Sequence, residues 1–202
     1  MNNIAVLLMA AGGSSRMGQP KPLLPWHQTT LIEHQLSVLQ QLSDKVFVVL
    51  GAHSEGIVPV LSNYSVETVI NATWKQGMGR SIALGVEKAV KTHPEIQGIL
   101  IALVDQPLIG MEHFKQLLSE FKPDAQQIIV SKEREADWWG APVLFDRHFF
   151  PELQTLSGDT GAKKLSMKYT HSLVLVPCDT SLEDMDTPEA YHRLKERASR
   201  QS

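Results

Sequence analysis

With 202 residues, 43% of them hydrophobic, the chain carries enough apolar material for one sizeable core, which argues against disorder. Nineteen basic against 22 acidic residues leave a formal charge of −3, so no basic surface for nucleic acid is expected. No apolar stretch approaches the roughly 20 residues of a membrane helix, and no basic-then-apolar leader opens the sequence, so a cytoplasmic protein is expected, without membrane partners. Cys178 is the one cysteine and belongs to an apolar run, which reads as a buried, inert thiol.

In chain order, the first apolar run (4–9) leads into Ala10-Ala11-Gly12-Gly13-Ser14-Ser15-Arg16-Met17-Gly18, and Lys21 follows. This reads as a buried strand and then a glycine-rich turn whose free backbone N–H groups can wrap an anion. Arg16 and Lys21 add two cations, and the whole describes a triphosphate cradle; an ordinary turn with surface cations is the alternative. Gly13 and Gly18 precede Gln19 and Pro20, not the Lys-Ser/Thr of the ATPase loop. The dinucleotide fingerprint is also missing, which disfavours a dehydrogenase. Pro20, Pro22 and Pro25 bar a regular helix directly after the turn.

A helix is expected over 30–42, with Thr30 and Glu33 as its capping box. Strands follow at 46–50 and 66–70. The segment 71–81 then brings Gly77, Met78, Gly79 and Arg80 to the start of a helix over 81–90; it is either a ligand-facing loop or a turn capped by Ser81. The run 99–104 is apolar enough for a central strand, and Asp105 stands at its carboxyl end, where a magnesium ion would be held or where a turn aspartate would precede Pro107. A helix at 111–121 and strands at 127–130 and 142–145 come next. Trp138 and Trp139 offer either a stacking wall for a planar ring or core packing. Gly158, Asp159 and Gly161 line an acceptor site or, for Asp159, cap a helix. After a strand at 173–177, Asp184 and Asp186 share one side if the segment is extended, although Asp186 or Thr187 also suits a cap for a helix over 188–198. Strands alternating with helices predict an α/β domain spanning 1–202, with a largely parallel sheet covered on both faces and ligands beyond the strands' carboxyl ends. No zinc-ligand spacing and no nucleophilic-serine elbow occur.

Taken together and in order, these segments resemble the MobA-like nucleotidyltransferase family, and within it the molybdenum cofactor cytidylyltransferases. The likeness rests on residues 9–18 and 20–26, on Gly77 to Ser81, on Val104-Asp105-Gln106-Pro107, on 142–145, on 158–162 and on 184–188. It implies a three-layer, Rossmann-like (glycosyltransferase A-like) fold with a mostly parallel, mixed central sheet. It implies transfer of CMP from CTP to the terminal phosphate of molybdopterin, with magnesium as cofactor, pyrophosphate as product and a molybdoenzyme as recipient. Carried over, Ala10, Ala11, Gly12, Gly13, Ser14, Ser15 and Arg16 would hold the β- and γ-phosphates and Lys21 the α-phosphate. Asp105 would bind the metal with Asp186, or failing that Asp184. Gly77, Met78, Gly79 and Ser81 would position base and ribose, while Gly140, Pro142, Gly158, Asp159 and Gly161 would face the acceptor. The pattern departs from the family at Ala141, where histidine or asparagine is common. Other readings are a different nucleotide, a sugar or alcohol phosphate as acceptor, or a non-catalytic carrier of the molybdenum cofactor.

Overall fold

The computed structural model describes residues 3–134 and 136–200, and its sheet is built around the first apolar run. β1 (Ile4–Ala10) is buried along its whole length. Ile4, Val6, Leu8 and Ala10 enter the core on one face, and Ala5, Leu7 and Met9 on the other, as the two-residue period of a strand requires. A two-residue hairpin, β2 (Pro25–Trp26) and β3 (Thr29–Thr30), precedes α1 (Leu31–Leu39). β4 (Val46–Leu50), α2 (Ser54–Leu61), β5 (Glu67–Ile70), α3 (Met78–Thr92), β6 (Gly98–Leu103) and α4 (Met111–Glu120) follow in turn. β7 (Ile128–Glu133), β8 (Trp139–Asp146), α5 (Phe150–Gln154), α6 (Ala162–Lys168), β9 (Leu173–Cys178) and α7 (Pro188–Ser199) complete the chain.

The seven-stranded sheet has the order β5-β4-β1-β6-β8-β7-β9, so the run expected to be central does sit in the middle. β8 is antiparallel to both β6 and β7, and the remaining pairs are parallel. The sheet is therefore mixed and mostly parallel. Residues of α1, α2 and α4 cover one face, and those of α3, α5 and α6 the other. A third apolar cluster lies off the sheet, where Trp26, Leu31 and Leu194 of α7 pack around the fully buried Met185.

The expected capping box is present: the Thr30 N–H donates to Glu33 Oε2 at 2.9 Å. Elsewhere the boundaries move. α1 stops at Leu39, three residues short of the expected end. α3 starts at Met78, because Gly77 (φ 103°) and not Ser81 closes off its first turn. The Asn71 side chain donates to the Ser81 hydroxyl inside the helix. β8 begins at Trp139, three residues before the expected strand. α2, α5 and α6 are only eight, five and seven residues long, too short to give a sequence period, and α2 contains Pro59. Cys178 is buried and free, as expected. Among the described residues no helix is long and apolar enough to cross a membrane.

Candidate active site

The turn after β1 is held from several directions. The Ala11 carbonyl accepts the Ala52 N–H at 3.2 Å, and the Trp74 ring lies so close to Gly13 that a Cβ there would meet it at 2.9 Å. Ser14 (φ 50°) turns back so that its Oγ accepts the Lys21 N–H at 2.9 Å. The prolines beyond it produce a single turn of 3₁₀-helix over Lys21–Leu23, and the buried Leu24 and Trp26 moor that turn in the third cluster. Burying two such side chains contributes about 3–6 kcal/mol towards holding Lys21 in place.

The opposite wall has the same logic. Met185 is buried, and its N–H donates to the Asp105 carbonyl at 2.9 Å, which ties residues 184–186 to the end of β6. Its flanking residues, Asp184 and Asp186, both reach the cleft. Thr187, and not Asp186, caps α7 by accepting the Ala190 N–H at 3.2 Å. Asp186 is thereby released from capping.

These walls bring four charged side chains together. Lys21 Nζ lies 2.8 Å from Asp105 Oδ2 and 2.5 Å from Asp186 Oδ1, and Arg16 Nη2 lies 2.6 Å from Asp186 Oδ2. The Lys21 side chain is only 13% exposed against 65% for Arg16. The Arg16 pair therefore behaves as a surface ion pair worth about 0–1 kcal/mol, and Lys21 is the organising cation. Burial works against its charge, but Asp105 and Asp186 outweigh that and hold its pKa above the ordinary lysine value. Asp186 is likewise penalised by burial, yet Lys21 and Arg16 pull its pKa below the usual range. Asp184 presents surface to the cleft, but it stands in a recess walled by protein. Desolvation and the neighbouring Asp105 and Asp186 charges push it up to about 6, against the hydrogen bond from Gln106.

The cleft above this cluster encloses about 500 Å³. Every residue from Ala10 to Arg16 borders it, as do Gly77, Met78 and Ser81. Gly79 does not. It is buried, its N–H donates to the Gly158 carbonyl at 2.9 Å, and a Cβ would strike Thr160 and Ser157 backbone. Its position serves the docking of the 157–160 loop onto the start of α3.

A second cavity of about 150 Å³ adjoins the first and shares Met78, Leu103 and Asp184 with it. Gly140 and Gly161 line this smaller cavity. Of the other residues expected to face an acceptor, Asp159 borders the larger cleft instead and caps no helix, since α6 begins after Gly161. Pro142 is buried, follows a cis peptide bond and offers its carbonyl to Ser131 Oγ at 2.8 Å. Gly158 reaches neither cavity wall, and its carbonyl holds Gly79. Trp74 and Lys75, within the 71–81 segment read as either a ligand-facing loop or a capped turn, also border the cleft. They stand directly after β5, at the ligand-bearing end of a parallel sheet.

The cluster fits a hard divalent cation. Asp105 and Asp186 each aim a carboxylate oxygen at one point, which the Lys21 ammonium now shares, and carboxylate oxygens are the donors that magnesium or manganese takes. Among the described residues no group of three His, Cys, Asp or Glu side chains is arranged to hold a metal alone. An ion held there would need water and phosphate oxygens to complete its shell.

Residues 6–173 match the MobA-like NTP transferase domain. Nicotine blue oxidoreductase of Paenarthrobacter nicotinovorans is 31% identical over 93% of this chain and 94% of its own length. Purine catabolism protein PucB of Bacillus subtilis is 29% identical over 94% of each chain. Molybdenum cofactor cytidylyltransferase of Escherichia coli is 24% identical over 98% of each. Among solved structures, a manganese complex of Rv0371C from Mycobacterium tuberculosis is 28% identical, with a TM-score of 0.78 over 96% of this chain and 98% of that one.

Proposed function

The chain belongs to the MobA-like NTP transferase family, and from that premise we propose that it transfers CMP from CTP to the terminal phosphate of molybdopterin, releasing pyrophosphate. The observation that carries this reading is the convergence of Lys21, Arg16, Asp105 and Asp186 beneath a glycine-lined turn at the sheet's carboxyl edge. A triphosphate laid along that turn meets backbone N–H groups, the start of α3, which no side chain caps, and two cations. The molybdenum cofactor cytidylyltransferase from Escherichia coli supports the choice of nucleotide and acceptor. We further read the chain as one cytoplasmic nucleotidyltransferase domain whose product passes to a molybdoenzyme.

In the proposed reaction an oxygen of the acceptor's phosphate attacks the α-phosphorus in line. The bond from that phosphorus to the α–β bridging oxygen breaks, and its electron pair leaves on pyrophosphate. The attacking oxygen is already anionic, so no serine, cysteine or histidine needs activation. Lys21 neutralises charge on the transferring group, and Arg16, at the mouth, holds the leaving phosphates. Magnesium held by Asp105 and Asp186 would supply further neutralisation of the triphosphate. Phosphate oxygens competing for Lys21 would draw its ammonium away from the two carboxylates.

The test incubates the purified chain with magnesium, each of the four ribonucleoside triphosphates in turn and molybdenum cofactor, then reads pyrophosphate release and product mass. A cytidylylated cofactor is expected. Pyrophosphate release only with a sugar or alcohol phosphate would replace the acceptor, and magnesium-dependent CTP binding without turnover would favour a carrier.

A further inference from the structure

The smaller cavity is far more apolar than its neighbour. Its walls include Ile82, Leu103, Val130 and Val143 together with the two adjacent tryptophans. Trp138 is 37% exposed, so it is not consumed in packing the core. Its ring folds back over β8 closely enough that a Cβ on Gly140 would meet it at 2.9 Å. Lys163, at the start of α6, places its ammonium 4.8 Å from the Trp138 ring centre and 5.3 Å from that of Trp139. Cation–π attraction of this kind holds both rings in a defined wall.

One polar group on this wall lacks a partner. Gln106 is 2% exposed and borders the cavity. Its Nε2 donates to the Leu182 carbonyl and to Asp184 Oδ1, each at 2.9 Å. Both partners are acceptors, so the amide cannot be turned round without setting oxygen against oxygen. The other end, Oε1, is buried and accepts nothing from any described residue. A buried acceptor left unpaired is costly, and a slight shift of the Gln106 side chain towards the cavity it borders would let a guest's N–H relieve that cost.

We propose that Gln106, Trp138, Trp139 and Lys163 form a ring-binding subsite selective for a flat heterocycle whose ring N–H donates to Gln106 Oε1. This rests on the acceptor reading above. A sugar would bring many hydroxyls to a wall with few polar groups, whereas a fused heterocycle has apolar faces and one donating edge. The cavity shares Met78, Leu103 and Asp184 with the larger cleft, so a ring seated here can extend its phosphate tail towards Lys21. Gln106 is then a specificity-determining residue for the acceptor, one residue beyond the carboxylate proposed to hold the metal.

Calorimetry tests this with pterin itself and with the same ring methylated at its ring nitrogens, and magnesium–CTP binding is titrated in parallel. The wild-type chain is expected to bind pterin about tenfold more tightly than the methylated ring. Gln106→Leu should erase that preference. Trp138→Ala and Lys163→Gln, both at exposed positions, should weaken pterin by roughly three- to tenfold, so the test survives if the buried Gln106 variant does not fold. Absence of pterin binding, or pterin affinity unchanged in the Trp138 and Lys163 variants, overturns the subsite. So does a preference that persists in Gln106→Leu. Pterin binding without any CTP binding would keep this subsite and sink the nucleotide reading instead.

Discussion

The two adjoining cavities are assembled by opposite means. In the larger, three residues that sequence separates by 84 and 165 positions meet at one ammonium, and the fit is set by charge. In the smaller, residues at the start of β8 and of α6 build a largely apolar wall whose fit is set by shape and by one unpaired hydrogen-bond acceptor. Charge tolerates small displacements, because Coulomb attraction falls off slowly with distance. Ring packing does not, because dispersion is lost within an ångström. Substitutions at the charged end should therefore act on the chemical step, and those at the apolar end on the choice of acceptor.

The largest effect is expected at Lys21. Lys21→Ala removes a preorganised cation from the transferring phosphoryl group and should lower kcat/KM by about 2–4 kcal/mol, on the order of 30- to 1,000-fold. The same variant leaves Asp105 and Asp186 without the ammonium they now share, so manganese or magnesium should bind the free protein more tightly. Steady-state kinetics and a metal titration check the two halves together. Near-wild-type turnover would remove Lys21 from the mechanism, and an unchanged metal affinity would place the metal elsewhere.

Much of the charged end was legible in the sequence, because it follows from local rules. An apolar run into glycine and serine marks a strand and turn, an aspartate after the next central strand sits at the sheet's open end, and Thr187-Pro188 marks a helix start. What could not be read was which carboxylates are free. Asp186 and Thr187 compete for one cap, and only packing decides; Met185, buried beneath α7, settles it in favour of Thr187. The apolar end was less legible still. Trp138-Trp139 reads as core packing, as a subunit contact or as a ligand wall until the exposure of Trp138 and the position of Lys163 are known. Gly79 and Gly158 looked like ligand-facing loop residues, yet they bind each other, and contacts between segments some 80 residues apart leave no local pattern.

That contact sets the next prediction. A Cβ on Gly77 would meet the Gly158 carbonyl group at 2.2 Å, and the backbone there has φ 103°. Gly77→Ala is strained twice and has only backbone to push against. It should cost about 2–3 kcal/mol and lower Tm by roughly 4–12 °C, while weakening nucleotide binding at the start of α3. Gly140→Ala is the milder counterpart at the other cavity. Its Cβ meets the outer edge of a half-exposed indole that can swing aside, so stability should stay within about 0.5 kcal/mol. The displaced ring should raise KM for the acceptor and leave KM for CTP alone. Equal effects on both substrates would mean that the two cavities do not act separately.

The smallest effect concerns pH and centres on two histidines outside both cavities. Burial depresses the pKa of His113 in α4, whose Nε2 lies 2.7 Å from Ser131 Oγ, and of His34 in α1, whose ring contacts the Pro107 carbonyl. Well above pH 6.5 both rings are neutral in the folded and the unfolded chain and leave stability unchanged. Below it the unfolded chain takes up protons that the folded chain refuses, so stability falls as pH drops through and below 6.5. Asp184 acts in the opposite sense, because its raised pKa lets the folded chain gain protons near pH 6 and lower. The informative quantity is thus a difference in slope: urea unfolding from pH 7.5 to 5.5 should lose stability less steeply in His113→Gln than in the wild-type chain, whatever the offset between them. Parallel slopes would mean that His113 takes up its proton as readily inside the protein as outside. The packing of α4 against β7, which withdraws that ring from water, would then be looser than the Ser131 contact implies.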